Sequence, residues 1–339
     1  MRTKAPILAA LCLVCGLGLT APALAQDYDF DWSTIGHPGN RPTNAEETAH
    51  NPFAPPMGAV GYEYRLAKTE VTAKQWLEFV RAYAPYWSGS RYDSAFIGYW
   101  IYPANGDPDL PPDYRVDKAA ENFPTEMSWR MAARYCNWLQ NGKRPERDAF
   151  ENGAYDTSTF TTNSDGTFND QRTHTAGASF WIPTVDEWIK AAYYDPNRYG
   201  DGVEGYWLYN NQSNAAPIYN APWNGGESNG GTWEGDDLRY FDVASYPHTK
   251  STWALYDLSG GVMEYTEGML RAEARGAYGS DRYQQFPEYS DLIADYHLNA
   301  SPDVAFAGFR IASVVPSSGC ALWLGSSWSL LLRRRRHHV

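Results

Sequence analysis

Cysteine is almost absent from the part of this chain that can build a core. The 339 residues include four cysteines. Cys12 and Cys15 lie near the amino end and Cys320 near the carboxyl end, which leaves Cys136 alone between them. One thiol cannot form an internal disulfide, so a disulfide-stabilised domain is excluded. Because Cys136 falls on an apolar helical stripe, we expect a small buried hydrophobic side chain rather than a nucleophile.

Histidine motifs that hold catalytic metals are also missing. Seven histidines are present, and none of them forms H-x-x-x-H or H-E-x-x-H. His174, His248 and His297 stand alone in the sequence, and His337 and His338 lie close to its end. We therefore predict surface or structural histidines.

Positive charge is scarce between the two ends of the chain. Arg2, Lys4 and the four arginines 333–336 contribute six positive charges to a formal net charge of −12, so residues 26–313 alone carry −18. A body this acidic repels phosphate backbones, which excludes nucleic acid as a partner. The same charge is compatible with binding divalent cations.

Long apolar runs are confined to the two ends, and the first of them reads as a secretory signal. Residues 1–25 combine the charged residues Arg2 and Lys4, an apolar stretch at 7–19 and an A-x-A cleavage motif that ends at residue 25. An amino-terminal membrane anchor is the alternative, and the apolar run is short for a membrane span. We predict export to the periplasm, the cell surface or the extracellular space.

The carboxyl end, residues 314–339, has its own sorting pattern. An apolar run at 320–332 follows Val315-Pro316-Ser317-Ser318 and precedes four arginines. This order resembles a PEP-CTERM-type tail, although that family has V-P-E-P at the proline motif. The resemblance implies a sorting protease as a partner. A weak carboxyl-terminal membrane anchor is the alternative, with the arginines as its basic stop.

Caps and apolar spacing predict three helices in the main domain, residues 61–313. Thr72 with Gln75 and Thr184 with Glu187 form capping boxes, and apolar residues at 132–139 recur with helical spacing. Residues 26–60 are rich in glycine and proline and are predicted as an extended lead-in. Short strands are expected at 62–66, 241–245, 262–266, 273–278 and 306–312.

The stretch A-L-Y-D-L-S-G-G-V-M-E-Y-T-E at 254–267 places two carboxylates on either side of a tight turn. Asp257 and Glu264 flank Gly260-Gly261, and glycines permit the positive φ that aims nearby carbonyls inward. Two carboxylates with the carbonyls of Gly260 and Val262 are hard oxygen ligands suited to Ca²⁺. A β-turn with solvated acids is the alternative, and the sequence leaves both interpretations open.

That stretch resembles the "GLYDMSGNVWEWT" signature of the formylglycine-generating enzyme, or sulfatase-modifying factor, family. Further blocks match the family in order along residues 61–313, namely YRLAKTEVTAKQWLEFV, FPTEMSWRMAARYCNWL, FWIPTVDEWIKAAYY, ARGAYGS and FAGFRIAS. The resemblance implies an α+β, C-type-lectin-like fold that is rich in loops and has few regular elements. It also implies a structural Ca²⁺ site at Asp257, Gly260, Val262 and Glu264.

The family's oxidase uses a cysteine pair that binds Cu(I), and this chain lacks the pair. Aligning Arg275-Gly276-Ala277-Tyr278 with the family's "RGGSW" block places the two thiols near Asp281 and Phe286. Soft Cu(I) requires such thiolates, so copper is not an expected cofactor and no catalytic residue is assigned. Asp281, Arg282, Tyr283 and Gln284 are expected to line the old catalytic groove.

Three functions remain open at this point. The missing thiols favour a Ca²⁺-stabilised binding protein for a peptide, a glycan or an envelope component. The overall family match favours a formylglycine-generating or related oxidase acting on exported sulfatases. The third interpretation is a purely structural surface protein.

Overall fold

Threonine caps begin two of the helices around which the core is built. In the computed structural model, Thr72 Oγ1 accepts a hydrogen bond from the Gln75 amide at 3.3 Å, and Gln75 Oε1 accepts one from the Thr72 amide at 3.0 Å. Thr184 and Glu187 make the same reciprocal pair at 3.1 and 2.7 Å. Each pair satisfies amides that a first helical turn leaves without partners, so both predicted capping boxes are confirmed.

The structure describes residues 26–107, 109–232, 240–271, 274–299 and 301–316. The helices there are α1 (Ala73–Tyr83), α2 (Ser94–Ile97), α3 (Trp129–Gln140), α4 (Arg147–Glu151), α5 (Val185–Tyr193) and α6 (Pro287–Ser290). The strands are β1 (Trp32–Ile35), β2 (Tyr64–Ala67), β3 (Ile101–Pro103), β4 (Tyr114–Val116), β5 (Phe180–Trp181), β6 (Tyr194–Asp195), β7 (Gly205–Tyr206), β8 (Glu264–Arg271), β9 (Ala274–Tyr278), β10 (His297–Asn299) and β11 (Ala312–Val314). Every strand except β8 has five residues or fewer, which confirms a loop-rich α+β fold with few regular elements.

Two antiparallel sheets hold the chain together over long sequence distances. The larger has the order β1-β2-β11-β5, and Leu66 on β2 faces Ser33 on one side and Ala312 on the other. The smaller has the order β10-β9-β8, with Glu264 opposite Tyr278. Since β1 comes from the 26–60 lead-in, that segment contributes a strand to the main sheet.

The core between these sheets and the helices is unusually aromatic. Trp76, Trp129 and Trp188 on the three long helices are fully buried. The indole nitrogens of Trp76 and Trp129 donate to the carbonyls of Phe96 and Thr266 at 3.0 and 3.1 Å. When the polar atom of a large ring is hydrogen-bonded, the ring can be buried, so a few such side chains cover a long stretch of loop backbone.

Cys136 lies inside this core on α3, as its place on the apolar stripe predicts. The side chain has no exposed surface. Burial first, and the charge of Glu267 second, raise the pKa of the Cys136 thiol well above its usual range. A protonated, enclosed thiol is a packing residue, so the prediction of a buried hydrophobic side chain is confirmed.

Two of the predicted strands were wrong in place or kind. Residues 241–245 form a turn, in which Ala244 has φ 61° and the Ser245 amide donates to Asp242 O at 3.2 Å. A left-handed residue interrupts the extended backbone that a ladder needs. In the 306–312 segment, only single bridges precede Ala312, where β11 begins.

The predicted secretory signal and the sorting pattern beyond residue 316 lie outside the described residues. In the part of the chain that the structure describes, no helix has the length and apolar character needed to cross a membrane.

Candidate functional site

The Gly-Gly turn brings its backbone against two polar side chains from distant parts of the chain. Asp257, Gly260 and Gly261 all have positive φ, at 55°, 82° and 64°. A Cβ on Gly260 would lie 2.2 Å from Asn229 Oδ1, and one on Gly261 would lie 2.3 Å from Glu70 Oε1. Only glycine permits both the backbone conformation and the close approach at these two positions.

Glu264 is buried and bound to Arg310. Arg310 Nε donates to Glu264 Oε2 at 2.6 Å, and Nη2 donates to Oε1. Trp188 Nε1 also donates to Oε2, at 2.8 Å. Arg310 further donates to the carbonyls of Lys68 and Tyr256 at 3.1 and 3.0 Å, so it anchors the segment that leads into the last strand. A cation bound by Glu264 would have to share the carboxylate with this guanidinium.

Asp257, the other predicted acidic ligand, has one oxygen in use. Its Oδ2 accepts a hydrogen bond from the Ala244 amide at 2.5 Å. Burial raises the pKa of Asp257 to about 6, and the negative charge of Glu264 acts in the same direction. The Ala244 amide and Arg310 oppose that rise without cancelling it. The carboxylate therefore lacks part of the stabilisation it would have in water.

Glu70 joins these two acids, and sequence reasoning missed it. The side chain is 1% exposed, and its Oε2 has no hydrogen-bond partner among the described residues. Burial and the charges of Asp257 and Glu264 raise the pKa of Glu70 well above its usual range, with Arg310 opposing. Its sequence signal is slight, namely an acid two residues before the α1 cap in the first family block.

Three carboxylates around one guanidinium leave an excess of negative charge that a divalent cation would neutralise. The carbonyls of Gly260 and Val262 accept no backbone hydrogen bond from the described residues. A cavity of about 10 Å³ next to the turn is lined by Glu70, Asp257 and Gly261 among others, which is room for about one water-sized species.

Hard oxygen donors of this kind fit Ca²⁺. In the described part of the chain, no three His, Cys, Asp or Glu side chains converge in ligating geometry. A calcium ion here would therefore depend on the carbonyls of Gly260 and Val262, with Asp257 and a Glu264 shared with Arg310. Its role would be structural, because it would hold the turn against Glu70.

The predicted groove residues divide into buried and exposed positions. Asp281 and Arg282 are 7% and 3% exposed, whereas Tyr283 is 52% exposed and Gln284 is half-buried. The Arg282 guanidinium carbon lies 4.0 Å from the ring centroid of Tyr240 and 4.3 Å from that of Tyr283. These residues thus present tyrosine rings supported by a buried cation. Asp281 accepts a hydrogen bond from the Tyr283 amide at 2.7 Å, which holds the local turn.

Glu126 is a second acid that sequence reasoning missed, and it lies within the electrostatic range of Asp281 and Arg282. It is 8% exposed, and burial raises its pKa to about 7. The charge of Arg282 lowers that pKa and the charge of Asp281 raises it, so both residues act electrostatically on Glu126. It belongs to the FPTEMSW block, and nothing in its local sequence distinguishes it from a solvated acid.

Arg275 and His174 both make structural contacts, and a surface or structural histidine is what the sequence predicts for His174. Arg275 is fully buried, its guanidinium carbon lies 3.4 Å from the Trp129 ring centroid, and its Nη1 donates to Glu267 O at 2.7 Å. His174 Nδ1 lies 2.9 Å from Glu267 Oε1. Tyr155 donates to the same carboxylate oxygen at 2.6 Å.

Residues 226–230 match the G-x-S-x-G spacing of a nucleophile elbow, but the geometry excludes that role. Ser228 is fully buried, and its Oγ accepts hydrogen bonds from Ser259 Oγ and the Gly230 amide at 2.8 and 3.0 Å. None of its hydrogen bonds in the described part of the chain involves a histidine.

Comparisons with solved structures identify the fold. Variable protein 1 of Treponema denticola matches at 18% identity with a TM-score of 0.50, over 84% of this chain and 95% of that one. CarF matches at 19% identity with a TM-score of 0.48, over 85% of this chain and 99% of that one. PvdO of Pseudomonas aeruginosa matches at 15% identity and 0.42, over 84% and 92%. The first of these supports the C-type-lectin-like fold, and that expectation is confirmed.

A search of curated proteins finds no match. The profile of the "Sulfatase-modifying factor enzyme 1-like domain" family matches residues 35–315, from the end of β1 to just past β11. This range contains the Gly-Gly turn, the groove residues and the helices with their capping boxes. The chain therefore belongs to the sulfatase-modifying factor enzyme 1-like domain family.

Proposed function

We propose that this chain is an exported binding protein built on the sulfatase-modifying factor fold, without copper oxidase chemistry. The observation that carries the proposal is the pair of side chains aligned with the family's two thiols. Asp281 is a buried acid and Phe286 a 55% exposed ring. Cu(I) is held by soft ligands, and neither side chain supplies one. The thiol of Cys136 is enclosed in the core on α3.

The ligand in this proposal is a peptide, a glycan or another envelope component that binds over the groove. Tyr99, Tyr283 and Phe286 are each more than half exposed, and Arg282 Nε has no hydrogen-bond partner among the described residues. Exposed rings beside an arginine supply contact area and hydrogen-bond donors, as in many binding surfaces. Nucleic acid is not a candidate, because residues 26–313 carry a formal charge of −18.

Calcium is part of the proposal as a structural ion. The support is the excess of negative charge at Glu70, Asp257 and Glu264, together with the carbonyls of Gly260 and Val262, which accept no backbone hydrogen bond from the described residues. The ion would order the segment that leads into β8. Strand β9 pairs with β8, and the predicted groove residues follow β9 in the sequence.

Export to the periplasm, cell surface or extracellular space is supported by the charged start, apolar stretch and A-x-A motif of residues 1–25. The tail after residue 313 is proposed either as a substrate of a sorting protease or as a membrane anchor.

The alternative function is a formylglycine-generating or related oxidase that acts on exported sulfatases. The specific observation favouring it is the family match along residues 35–315. That function would require a metal site without the thiol pair.

The discriminating experiment is a formylglycine assay on a sulfatase peptide, with and without Cu(I), read by mass spectrometry. We expect no conversion and no two-thiolate Cu(I) complex. A matched variant carrying Asp281→Cys and Phe286→Cys tests the alignment, because it should gain Cu(I) binding. Conversion by the unsubstituted protein, at a rate comparable with an authentic family oxidase, would overturn the proposal.

Binding at the groove is tested separately on a peptide and glycan array. Tyr283→Ala should weaken binding to any array member that the wild type retains. Trp223→Ala is the matched control, since this ring is 66% exposed and its ring contact among the described residues is with Phe241. An array without a single bound member would favour the purely structural surface protein.

A further inference from the structure

A cavity of about 630 Å³ lies over the first half of α3, away from the groove and the Gly-Gly turn. We call it the α3 cavity. Its floor is Ser128, Met131 and Arg134, and its walls are the segment that follows α1, helix α4 and the turn at Thr157–Thr159. A volume of this size is typical of a small-molecule site.

One wall of the α3 cavity is aromatic. Tyr86 and Trp87 come from the segment after α1, and both are half-buried. Trp87 is fixed by its Nε1, which donates to Ser90 O at 2.9 Å, and by the Phe96 ring at 5.0 Å. A Cβ on Gly89 would lie 2.4 Å from Trp87 Cζ2, so the chain bends closely around the indole. The result is a rigid ring that remains partly exposed at the cavity.

The floor carries charges that are already balanced. Arg134 Nη2 lies 3.3 Å from Glu151 Oε2, and its guanidinium carbon is 5.2 Å from the Phe160 ring centroid. Arg134 Nε has no hydrogen-bond partner among the described residues. Arg130 pairs with Asp303 at 2.5 Å. A ligand therefore meets polar groups here without meeting a large excess of either charge.

The rim offers both hydrogen-bond donors and acceptors. Arg147 lines the cavity, is exposed, and makes no ion pair with any described residue. Asp93 Oδ1 accepts a hydrogen bond from the Ala95 amide, and Asp156 Oδ1 accepts one from the Ser158 amide, both at 3.0 Å. The second carboxylate oxygen of Asp93 accepts no hydrogen bond from the described residues.

We propose that the α3 cavity binds a neutral oligosaccharide, with one sugar ring against Trp87 and hydroxyls between Arg147 and the two aspartates. Sugar hydroxyls both donate and accept, so they satisfy a rim that mixes arginine and carboxylates. The apolar face of a sugar ring covers an aromatic ring at little polar cost. A cavity of this volume holds roughly two or three sugar units.

Other ligand classes fit less well. An anionic ligand would find Arg130 and Arg134 already paired with carboxylates. It would then face Asp93 and Asp156 with Arg147 as the remaining positive charge of the cavity lining. An apolar ligand would leave the rim groups and Arg134 Nε without partners, which costs free energy on binding. The α3 cavity is independent of the proposed groove function, because the two sites share no residue.

The experiment is isothermal titration calorimetry of the purified full chain with cellotriose, maltotriose, chitotriose and mannotriose, and with trigalacturonic acid as the anionic probe. We expect at least one neutral trisaccharide to bind. Trp87→Ala and Arg147→Gln should each weaken it by about tenfold or more, which corresponds to about 1.4 kcal/mol. Trp223→Ala and Arg144→Gln are the matched controls and should bind as the wild type does.

Arg147→Gln keeps the test decisive even if Trp87→Ala fails to fold, because Arg147 is exposed and makes no ion pair with the described residues. Thermal melting checks that each variant is folded. Binding of trigalacturonic acid alone, binding of none of the sugars, or equal loss of binding in the Trp223→Ala control would each overturn the proposal.

Discussion

Replacing Asp257 by asparagine should change the stability of the fold in opposite directions with and without Ca²⁺. The folded-state pKa of Asp257 is about 6, against 3.8 for a free aspartate. A difference of about two pH units corresponds to about 3 kcal/mol between the two protonation states. Because the side chain is half-buried, solvent screening makes that figure an upper limit.

The sign follows from the direction of the pKa difference. A carboxyl whose folded-state pKa is raised contributes its full stability below about pH 4 and loses it as the pH rises through about 6. In chelator at about pH 8, the ion-free protein therefore carries an unfavourable carboxylate. Asparagine removes that charge, and its side-chain oxygen can still accept a hydrogen bond from the Ala244 amide. Asp257→Asn should be neutral or stabilising there.

In Ca²⁺ the order reverses. An ion that binds only the folded state stabilises it by roughly 2.7 kcal/mol at a hundredfold excess over Kd, and the variant should lose most of this. The difference amounts to several degrees in Tm, at about 2–4 °C per kcal/mol for a domain of this size. The assay is thermal unfolding by circular dichroism, in Ca²⁺ and in chelator, at about pH 8 and about pH 4.

Glu126→Gln is the matched control. Glu126 is another buried acid with a raised pKa, about 7, and it lies outside the Gly-Gly turn. Its substitution should flatten the pH dependence of stability without changing the response to Ca²⁺. If Asp257→Asn lowers Tm equally in Ca²⁺ and in chelator, or if the wild type ignores chelator after calcium is shown to be absent, the ion site is refuted. The alternative interpretation, a β-turn flanked by the acids Asp257 and Glu264, would then be favoured.

Three further predictions follow from burial, charge and the export signal. Arg310→Met should destabilise the fold by about 3–5 kcal/mol in chemical unfolding, because it leaves the Glu264 carboxylate buried without its partner. Adding Glu264→Leu should recover part of the loss, and a double variant no more stable than Arg310→Met would contradict this. Cys136 should resist thiol reagents in the native protein and react once it is unfolded. Rapid native labelling would refute its burial. Mass spectrometry of the mature protein should find an amino terminus at or near Gln26, and an intact Met1 in the cytoplasm would argue against export.

Local features were predictable from the sequence because local physics determines them. The Thr72 and Thr184 caps depend on groups three residues apart, so the sequence predicts both helix starts. The adjacent glycines Gly260 and Gly261 predict a turn, and both have positive φ in the structure. The apolar spacing around Cys136 predicts the burial of that residue, although α3 is buried around most of its circumference.

The predicted strand at 241–245 failed because strand formation depends on partners that the local sequence does not contain. Apolar and aromatic residues there suit an extended backbone. Instead of pairing in a ladder, the Ala244 amide donates a hydrogen bond to the Asp257 carboxylate, and Ala244 adopts a left-handed conformation. Tertiary contact overrode local preference at this position.

Only the tertiary structure determined how the charges of the candidate site are arranged. The Glu70 carboxylate meets the Val262 amide across 192 residues of sequence, and Arg310 reaches Glu264 across 46. No periodicity connects residues so far apart, so the sequence supplied Asp257 and Glu264 but neither Glu70 nor the sharing of Glu264 with Arg310. The α3 cavity arises in the same way, because its walls come from segments that are separate in sequence and meet only when the chain packs around α3.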